Sequence, residues 1–441
     1  MKRIAFALAL AAALGGCGIF KGGGSNHPRT ALLGDRIPVL SSETGAEIDP
    51  ALATVPVDVP VAAINTEWAQ PGGNAAKSMG QLALGQALAR AWTVSIPGSN
   101  PRARLAAGPV VADGKLFVVD TEGDVRAYNS QSGAPLWSTR MTSQSRDGRQ
   151  SVFGGGVSYD NGKVYATNGI GDVAALDAAN GSQIWKKRPG GPLRGAPTVA
   201  NGHVYVVSQD NRLIALKQDD GTVVWDEAAT LELAGIFGAG APAAAQGTVV
   251  AGFSSGELNA YRYENGRGVW QDALSRSTAT TQVATLSDID AAPVIDSGRV
   301  YAVGQGGRMV ALEIVTGQRL WELNIAGIST PWLAGEWIFV VTDDAKLYCI
   351  ARANGHVRWV TELPRWKKER KREGPIGWTG PVLAGGRLIL ASTEGNFANV
   401  NVADGTLLST GKAGGPVLLS PVVANETLYI LDDKGKLSAW R

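Results

Sequence analysis

Short apolar runs separated by turn residues fill the chain from about residue 106 onward. In the first stretch the runs are residues 107–112, 115–120, 124–129 and 134–140. Pairs such as Asp113-Gly114 separate the runs, and Asp and Gly favour the backbone geometry of tight turns. The runs are too apolar for strands that have one face in water. The pattern therefore predicts four short strands covered on both faces, and no window sustains the period of an amphipathic helix.

The same unit recurs along the chain with a fixed internal spacing. Pro109 precedes Gly123 by 14 residues and Trp137 by 28. Further units with this spacing begin at Pro197, Pro242, Pro293 and Pro331. Two more keep the spacing with one member replaced: Val157 stands for the proline of the second unit, and Ser409 for the tryptophan of the seventh. Four-stranded units at a mean spacing in the forties are typical of a β-propeller, whose blades bury their faces on each other.

The eighth unit has residues for only three strands. It begins at Pro421 and has Gly435 at the 14-residue mark, but its tryptophan would fall beyond Arg441. Upstream of the first unit, the run QALARAWTVSIPG carries Trp92 and has no strands of its own before it. We therefore predict an all-β fold, an eight-bladed β-propeller of four-stranded antiparallel blades that is closed by the N-terminal strand around Trp92. Closure removes strand edges that would otherwise pair with other chains.

The N-terminal residues have a different pattern, which indicates export. MKRIAFALALAAALGGCGIF combines two basic residues with an apolar run of secretory-signal length. The run is too short for a transmembrane helix. Its end, LGGC, resembles the lipobox of bacterial lipoproteins, which implies acylation of Cys17; the alternative is an ordinary cleaved signal. The predicted organisation is a signal peptide at 1–16, an acylated and largely irregular tether at 17–85, and the propeller at 86–441, with Trp68 as the tether's contact point.

Composition narrows the classes of function. The formal net charge is +2, and Lys2 and Arg3 account for it, so the rest of the chain gives no electrostatic argument for binding nucleic acid. The histidines, His27, His203 and His356, have no metal-ligand spacing. Adjacent acids such as Asp343-Asp344 fall at repeat turns, where Asp is favoured. We predict no catalytic residue, no cofactor and no metal.

The repeat, clearest in ALDAANGSQIW and ALEIVTGQRLW, resembles the tryptophan-bearing repeat of two families. These are the pyrroloquinoline-quinone-dependent dehydrogenases and BamB, the lipoprotein family of the outer-membrane β-barrel assembly machinery. The lipobox, the tether, the eight units and the segment LSDIDAAP at 286–293 are similar to the second family. That resemblance implies a non-enzymatic scaffold, lipid-anchored at the periplasmic face of the outer membrane, which assists insertion of β-barrel proteins. Its implied partners are the periplasmic domains of BamA and other assembly-complex subunits, with nascent outer-membrane proteins as further candidates.

The resemblance also implies a partner site on the connections 226–241 and 271–292, which flank the fourth unit and should emerge on one face. The residues that correspond to the family's BamA contacts are Leu231, Leu233, Asp288 and Asp290. The first connection departs from the family, because it is longer and has Ala234 where the family carries an arginine. The alternative is that the two acids merely cap turns. We predict that replacing both acids with arginine abolishes co-purification with BamA with little change in melting temperature.

Two other functions and one charged segment remain open from the sequence. A quinoprotein dehydrogenase needs a calcium-bound quinone and in many members adjacent cysteines, and this chain has no Cys-Cys pair. A carbohydrate-binding propeller would need exposed aromatics at one mouth. The candidates are Trp332, Trp337, Trp366 and Trp378. We interpret the basic run RWKKERKRE at 365–373 as a solvated loop in preference to the alternatives, which are a contact with anionic lipid headgroups and a contact with the acidic face of a partner.

Overall fold

The computed structural model of the chain describes residues 46–141, 153–231, 240–274 and 287–441. Cys17 and Leu233 lie outside these ranges. In the described residues, eight four-stranded antiparallel sheets form successive blades, and one two-stranded hairpin lies between two of them. The predicted all-β, eight-bladed propeller is confirmed. None of the described residues belongs to a helix with the length and apolar character needed to cross a membrane.

The strands of the first half of the propeller follow the predicted spacing. After β1 (Arg90–Ser95), blades 1 to 4 contain β2 (Val110–Ala112), β3 (Lys115–Val119), β4 (Asp124–Asn129), β5 (Pro135–Arg140), β6 (Gly155–Asp160), β7 (Lys163–Asn168), β8 (Val173–Asp177), β9 (Gln183–Lys187), β10 (Thr198–Ala200), β11 (His203–Val207), β12 (Arg212–Lys217), β13 (Val223–Ala228), β14 (Ala243–Ala245), β15 (Thr248–Gly252), β16 (Glu257–Arg262) and β17 (Gly268–Ala273). Within each blade the strands pair in sequence order.

The second half adds the hairpin between blades 6 and 7. Its strands are β18 (Val294–Asp296), β19 (Arg299–Gly304), β20 (Arg308–Glu313), β21 (Arg319–Leu323), β22 (Trp332–Ala334), β23 (Trp337–Val341), β24 (Lys346–Ala351), β25 (Val357–Glu362), the hairpin strands β26 (Trp366–Lys368) and β27 (Glu373–Pro375), then β28 (Trp378–Ala384), β29 (Arg387–Ser392), β30 (Asn396–Asn401), β31 (Leu407–Lys412), β32 (Val422–Ala424), β33 (Thr427–Leu431) and β34 (Lys436–Trp440). Two 3-10 turns, Pro50–Leu52 and Glu369–Lys371, complete the regular structure of the described residues.

Blade 8 is completed by a strand from the N-terminal side of the propeller. Its strand order is β1-β34-β33-β32, and β1 pairs antiparallel with β34, with Trp92 opposite Ala439. Gly435 has a φ of +82°, and a Cβ at this position would lie 2.1 Å from the carbonyl oxygen of Ile96. Glycine therefore permits the close approach of the chain that enters from β1. The predicted closure by the strand around Trp92 is confirmed.

The repeat tryptophans join each blade to the next. Trp137 of blade 1 donates its indole N–H to the carbonyl oxygen of Ala178 in blade 2 at 3.1 Å. Its ring covers Gly181, where a Cβ would lie 2.5 Å from the indole. The same two contacts recur for Trp92, Trp185, Trp225, Trp270, Trp321 and Trp359. These tryptophans therefore dock one blade on the next, and Trp92 supplies this contact for blade 8.

Residues 65–84, which we call the collar, run once around the ring on the innermost strands. In chain order the collar contacts blade 8 through Asn65, blade 1 through Trp68, blade 2 through Ala69, blade 3 through Gln70, blade 4 through Ala75, blade 5 through Ala76, blade 6 through Gly80 and blade 7 through Leu82. Trp68, the predicted contact point, is buried and stacks on Trp332 with ring centroids 5.9 Å apart. A single extended segment therefore bonds to all eight blades.

Candidate partner-binding site

The centre of the ring holds a cavity of about 810 Å³. Trp68 and Pro71 of the collar line it, together with residues of the connections that lead from each outer strand to the next inner strand. Among these connection residues, Ile328 and Leu418 are about half exposed. The collar therefore covers part of the channel through the ring.

The connection 226–241, between blades 3 and 4, is held in place just before the predicted leucines. The amide N–H and the hydroxyl of Thr230 each donate to the carboxylate of Glu257 at 2.8 Å. The carbonyl oxygen of Thr230 accepts from the side-chain amide of Asn211 at 2.7 Å. The next residue, Leu231, has 60% of its surface exposed. The structure thus presents an apolar side chain to solvent from a fixed point on the backbone.

Glu257 is ionised at this point of attachment. Partial burial works to raise the pKa of its carboxyl group, but the hydrogen bonds from Thr230, Ser255 and Gln271 together hold that pKa below its ordinary value. Hydrogen bonds to a charged acceptor are stronger than those between neutral groups. The bonds that fix Thr230 therefore persist at neutral pH.

In the connection 271–292, between blades 4 and 5, the side chains of the predicted acids are buried. The side chains of Asp288 and Asp290 are 1% and 7% exposed. Both face Arg194, whose Nη2 lies 2.8 Å from Oδ1 of Asp290 and 3.7 Å from Oδ1 of Asp288. Arg194 is itself only 5% exposed and belongs to the connection between blades 2 and 3. The acids and Arg194 form a buried charge cluster, and Asp290 and Arg194 line the central cavity.

Burial raises the pKa of the Asp290 carboxyl to about 6; Arg194 opposes this rise and the charge of Asp288 adds to it. An arginine at position 288 or 290 would enter the same buried site beside Arg194, where like charges repel. Because both side chains are buried, the double arginine variant should melt at a lower temperature than the parent, which differs from the outcome that the sequence predicts. Loss of partner binding in that variant would not separate a lost contact from lost folding.

The two connections meet in space, as the sequence predicted. A Cβ on Gly240, near the end of the first, would lie 2.8 Å from the carbonyl oxygen of Asp290 in the second. Further along, the amide of Ile289 donates to the carbonyl oxygen of Phe253 in blade 4 at 3.1 Å, and the side chain of Ile289 is buried. The two connections are thus in contact near Gly240 and Asp290, while Leu231 is the exposed member of the predicted set within the described residues.

Arg194 is a residue of this site that sequence reasoning missed. It lies 96 positions from Asp290 and is bonded at its own backbone to Val207 of blade 3 through its amide N–H at 2.9 Å. The surrounding sequence, GGPLRGAP, contains no pattern that pairs an arginine with distant acids. Only the closed ring brings the two connections together.

Other residues that the sequence suggested as functional candidates have structural roles. Asp432 accepts the backbone N–H groups of Lys434 and Lys436, which is the predicted turn role of an acid pair. Trp332 and Trp337 are buried, so these two do not form the exposed aromatic mouth that a carbohydrate site would need. In the described part of the chain, no three His, Cys, Asp or Glu side chains lie close enough together to hold a metal ion.

The blades, the closing strand and the tryptophan–glycine joints define an eight-bladed β-propeller of the kind built from tryptophan-bearing repeats. The family model described as outer membrane protein assembly factor BamB matches residues 82–148 and 145–361, and the chain belongs to this family.

Curated relatives carry the same description. The outer membrane protein assembly factor BamB of Escherichia coli is 27% identical over 383 residues, covering 77% of this chain and 85% of that protein. The protein of the same name from Moranella endobia is 24% identical over 334 residues, covering 75% of this chain and 84% of that protein. The sequence similarity thus extends over most of the length of this chain and of each relative.

Solved structures share the fold. BamB from Moraxella catarrhalis superposes with a TM-score of 0.68 at 18% identity and covers 80% of this chain and 100% of that one. A europium-containing methanol dehydrogenase superposes with a TM-score of 0.67 at 15% identity and covers 85% of this chain and 98% of that one. At these identities the likeness establishes the propeller fold alone, because one fold serves unrelated functions.

Proposed function

We propose that this protein is a non-enzymatic scaffold lipoprotein of the outer-membrane protein assembly complex. In this proposal it binds the periplasmic domains of BamA, contacts other subunits of the complex and nascent outer-membrane proteins, and assists insertion of β-barrel proteins. It is held at the periplasmic face of the outer membrane by acylated Cys17. Membership of the BamB family supports the assembly role.

The exposure of Leu231 is the observation that supports the partner site most directly. An exposed apolar side chain gains binding energy when a partner covers it, and Leu231 needs little ordering at its backbone because the preceding residue, Thr230, is already fixed. We propose that Leu231 and Leu233 contact the partner. Asp288 and Asp290 then act mainly through Arg194, by holding the described end of the connection 271–292 in place, and Asp290 also faces the cavity.

The partner site is tested by replacing Leu231 and Leu233 with arginine. We expect capture of BamA from solubilised membranes to fall at least about tenfold, since central apolar contacts contribute most of the energy of an interface. The matched control is Val315→Arg, because Val315 is 69% exposed and lies on an outer-strand turn of blade 5. Undiminished capture by the leucine variant, with the control behaving alike, would place the site elsewhere.

Anchoring is tested by Cys17→Ser. Acyl chains stabilise membrane attachment by about 0.8 kcal/mol for each buried CH₂ group, so their loss should move the protein to the soluble periplasmic fraction. Fractionation of the parent and the variant side by side measures this. A variant that remains in the membrane fraction would contradict acylation at Cys17.

The enzyme alternative predicts a different result. A quinoprotein dehydrogenase would reduce an artificial dye when supplied with substrate, calcium and pyrroloquinoline quinone. The scaffold proposal expects no such activity from the purified protein. Quinone-dependent dye reduction would therefore overturn the proposal, whatever the outcome of the capture experiment.

A further inference from the structure

The segment between blades 6 and 7 forms an ordered projection, which we call the basic hairpin (residues 364–377). Its strands β26 and β27 pair with Trp366 opposite Pro375. At the base, the indole N–H of Trp378 donates to the carbonyl oxygen of Pro364 at 2.9 Å, and Gly377 bonds to Thr393 of blade 7. The basic run is therefore not an irregular loop, and its side chains are held on a fixed support.

The charge of the basic hairpin is strongly positive and is concentrated at its tip. From residue 365 to 373 six cations face two acids, a net charge of +4. Lys367 pairs with Glu394 and Lys368 with Glu373. The three residues at the tip are exposed and form no ion pair with another described residue. They are Arg370, Lys371 and Arg372. Nothing within the protein's described surface neutralises them.

An indole accompanies these cations. Trp366 is partly exposed at the start of β26, and the guanidinium of Arg365 lies 5.4 Å from the centroid of its ring. Tryptophan is enriched at membrane–water interfaces, where its ring lies at the level of the headgroups. A cluster of cations beside an interfacial aromatic residue suits an anionic lipid surface better than a flat acidic protein face.

The described N-terminal residues reach the propeller on the blade that carries the basic hairpin. Ile48 forms a parallel bridge with Val357 in β25, and the amide of Asp49 donates to the carbonyl oxygen of Val357 at 2.9 Å. Arg358 donates to the carbonyl oxygen of Val55 at 2.8 Å. Strand β25 then leads directly into the hairpin. Blade 6 thus holds both the first described residues, at the start of β25, and the base of the basic hairpin, after the end of that strand.

We propose that the basic hairpin docks on anionic phospholipid headgroups and fixes which side of the propeller faces the membrane. The inference rests on the proposed lipid anchoring only for its physiological setting, since vesicle binding requires neither an acyl chain nor BamA. The hairpin lies between blades 6 and 7 and Leu231 between blades 3 and 4, so the proposed lipid contact and the proposed partner contact use different residues of the ring. Each cation near an anionic surface strengthens attachment by roughly fivefold.

The experiment uses the full chain with Cys17→Ser and phosphatidylcholine vesicles with or without phosphatidylglycerol. The hairpin variant replaces Arg370, Lys371 and Arg372 with glutamine. We expect the parent to co-sediment with the anionic vesicles alone, and to be released as salt is raised. The hairpin variant should partition about 100-fold more weakly, because three cations are lost.

The matched control replaces Lys217, Arg262 and Arg267, exposed cations at the outer-strand turns of blades 3 and 4, with glutamine. The control should bind vesicles nearly as well as the parent, and all three proteins should share one melting temperature. Equal vesicle binding by the parent and the hairpin variant would overturn the inference. The inference would also be overturned if the parent did not bind anionic vesicles and the hairpin variant captured less BamA than the parent. That result would instead assign the cations to contact with an acidic protein surface.

Discussion

At the scale of single residues, a tryptophan and a glycine act together at seven of the eight joints between blades. The indole of Trp137 fills the space above Gly181, and its N–H satisfies the carbonyl oxygen of Ala178. A buried indole N–H without a partner would cost free energy, so both contacts are needed for tight docking. The regular spacing of tryptophan and glycine in the sequence thus results from the contacts between successive blades.

This pairing predicts a specific loss of stability for Gly181→Ala. The new Cβ would lie 2.5 Å from the Trp137 ring, whereas a Cβ on Gly202 meets nothing within 4 Å, and both glycines have φ near +75°. Both variants bear the cost of a left-handed backbone, but only Gly181→Ala displaces the indole. Urea denaturation should show the free energy of unfolding lower by about 1–3 kcal/mol in Gly181→Ala than in Gly202→Ala. Equal values for the two variants would contradict the joint.

At the scale of elements, the degenerate seventh repeat has a structural reason. A tryptophan in place of Ser409 would cover the turn between the third and fourth strands of blade 8, but those strands, β34 and β1, are far apart in the sequence and no turn joins them. Instead Trp440 packs edge-on against Phe397 of blade 7 at 5.6 Å. The guanidinium of Arg90 lies 4.5 Å from the centroid of the Trp440 ring. The joint between blades 7 and 8 is thus built differently because the ring closes there.

Closure by β1 makes a prediction about solubility. Replacing residues 87–97 with a Gly/Ser linker of equal length keeps the collar connected but removes the outer strand of blade 8. The exposed edge of β34 and the uncovered apolar surface should then cause aggregation, measured by light scattering during refolding. A synthetic peptide of residues 87–97 should restore solubility. A linker variant that stays soluble and melts cooperatively near the parent temperature would contradict the role of the strand.

At the scale of the whole molecule, the tryptophan contacts link each blade only to its neighbours, whereas the collar contacts all eight blades. It also carries a fully buried cation, Lys77, whose Nζ donates to Thr198 of blade 3 at 3.0 Å. Burial lowers the pKa of Lys77 from its ordinary value to about 7. Between pH 7 and about 10.5 the unfolded chain holds this proton and the folded chain releases it. Lys77 therefore makes the protein more stable as the pH rises through this range.

The expected rise of stability with pH is tested with Lys77→Met, which retains the volume of the side chain and removes its charge. The variant should exceed the parent in stability most at pH 7 and below, where the charged Lys77 bears its full desolvation cost. The difference should shrink by up to about 1.4 kcal/mol for each pH unit above 7. Urea denaturation of both proteins across this range measures it. A difference that is constant or grows with pH would show that Lys77 does not titrate in the collar.

The strands, the blade count and the closing strand could be predicted from the sequence because their signals are local and repeated. Pro109, Gly123 and Trp137 recur at fixed distances since every blade repeats one geometry, and the missing fourth strand of the eighth unit pointed to Trp92. The position of the candidate site followed from family resemblance, together with the rule that connections between blades emerge on one face.

The tertiary structure alone decided how the remaining residues act. The sequence of the collar has no periodicity, because its successive residues contact different blades. The burial of Asp288 and Asp290 depends on Arg194, which the ring brings to them from 96 positions away in the case of Asp290. Their charge in the sequence suggested a solvent-facing pair, since acids are usually exposed. A charge pair between distant connections leaves no spacing in the sequence, so only the closed ring could distinguish the exposed Leu231 from the buried Asp288 and Asp290.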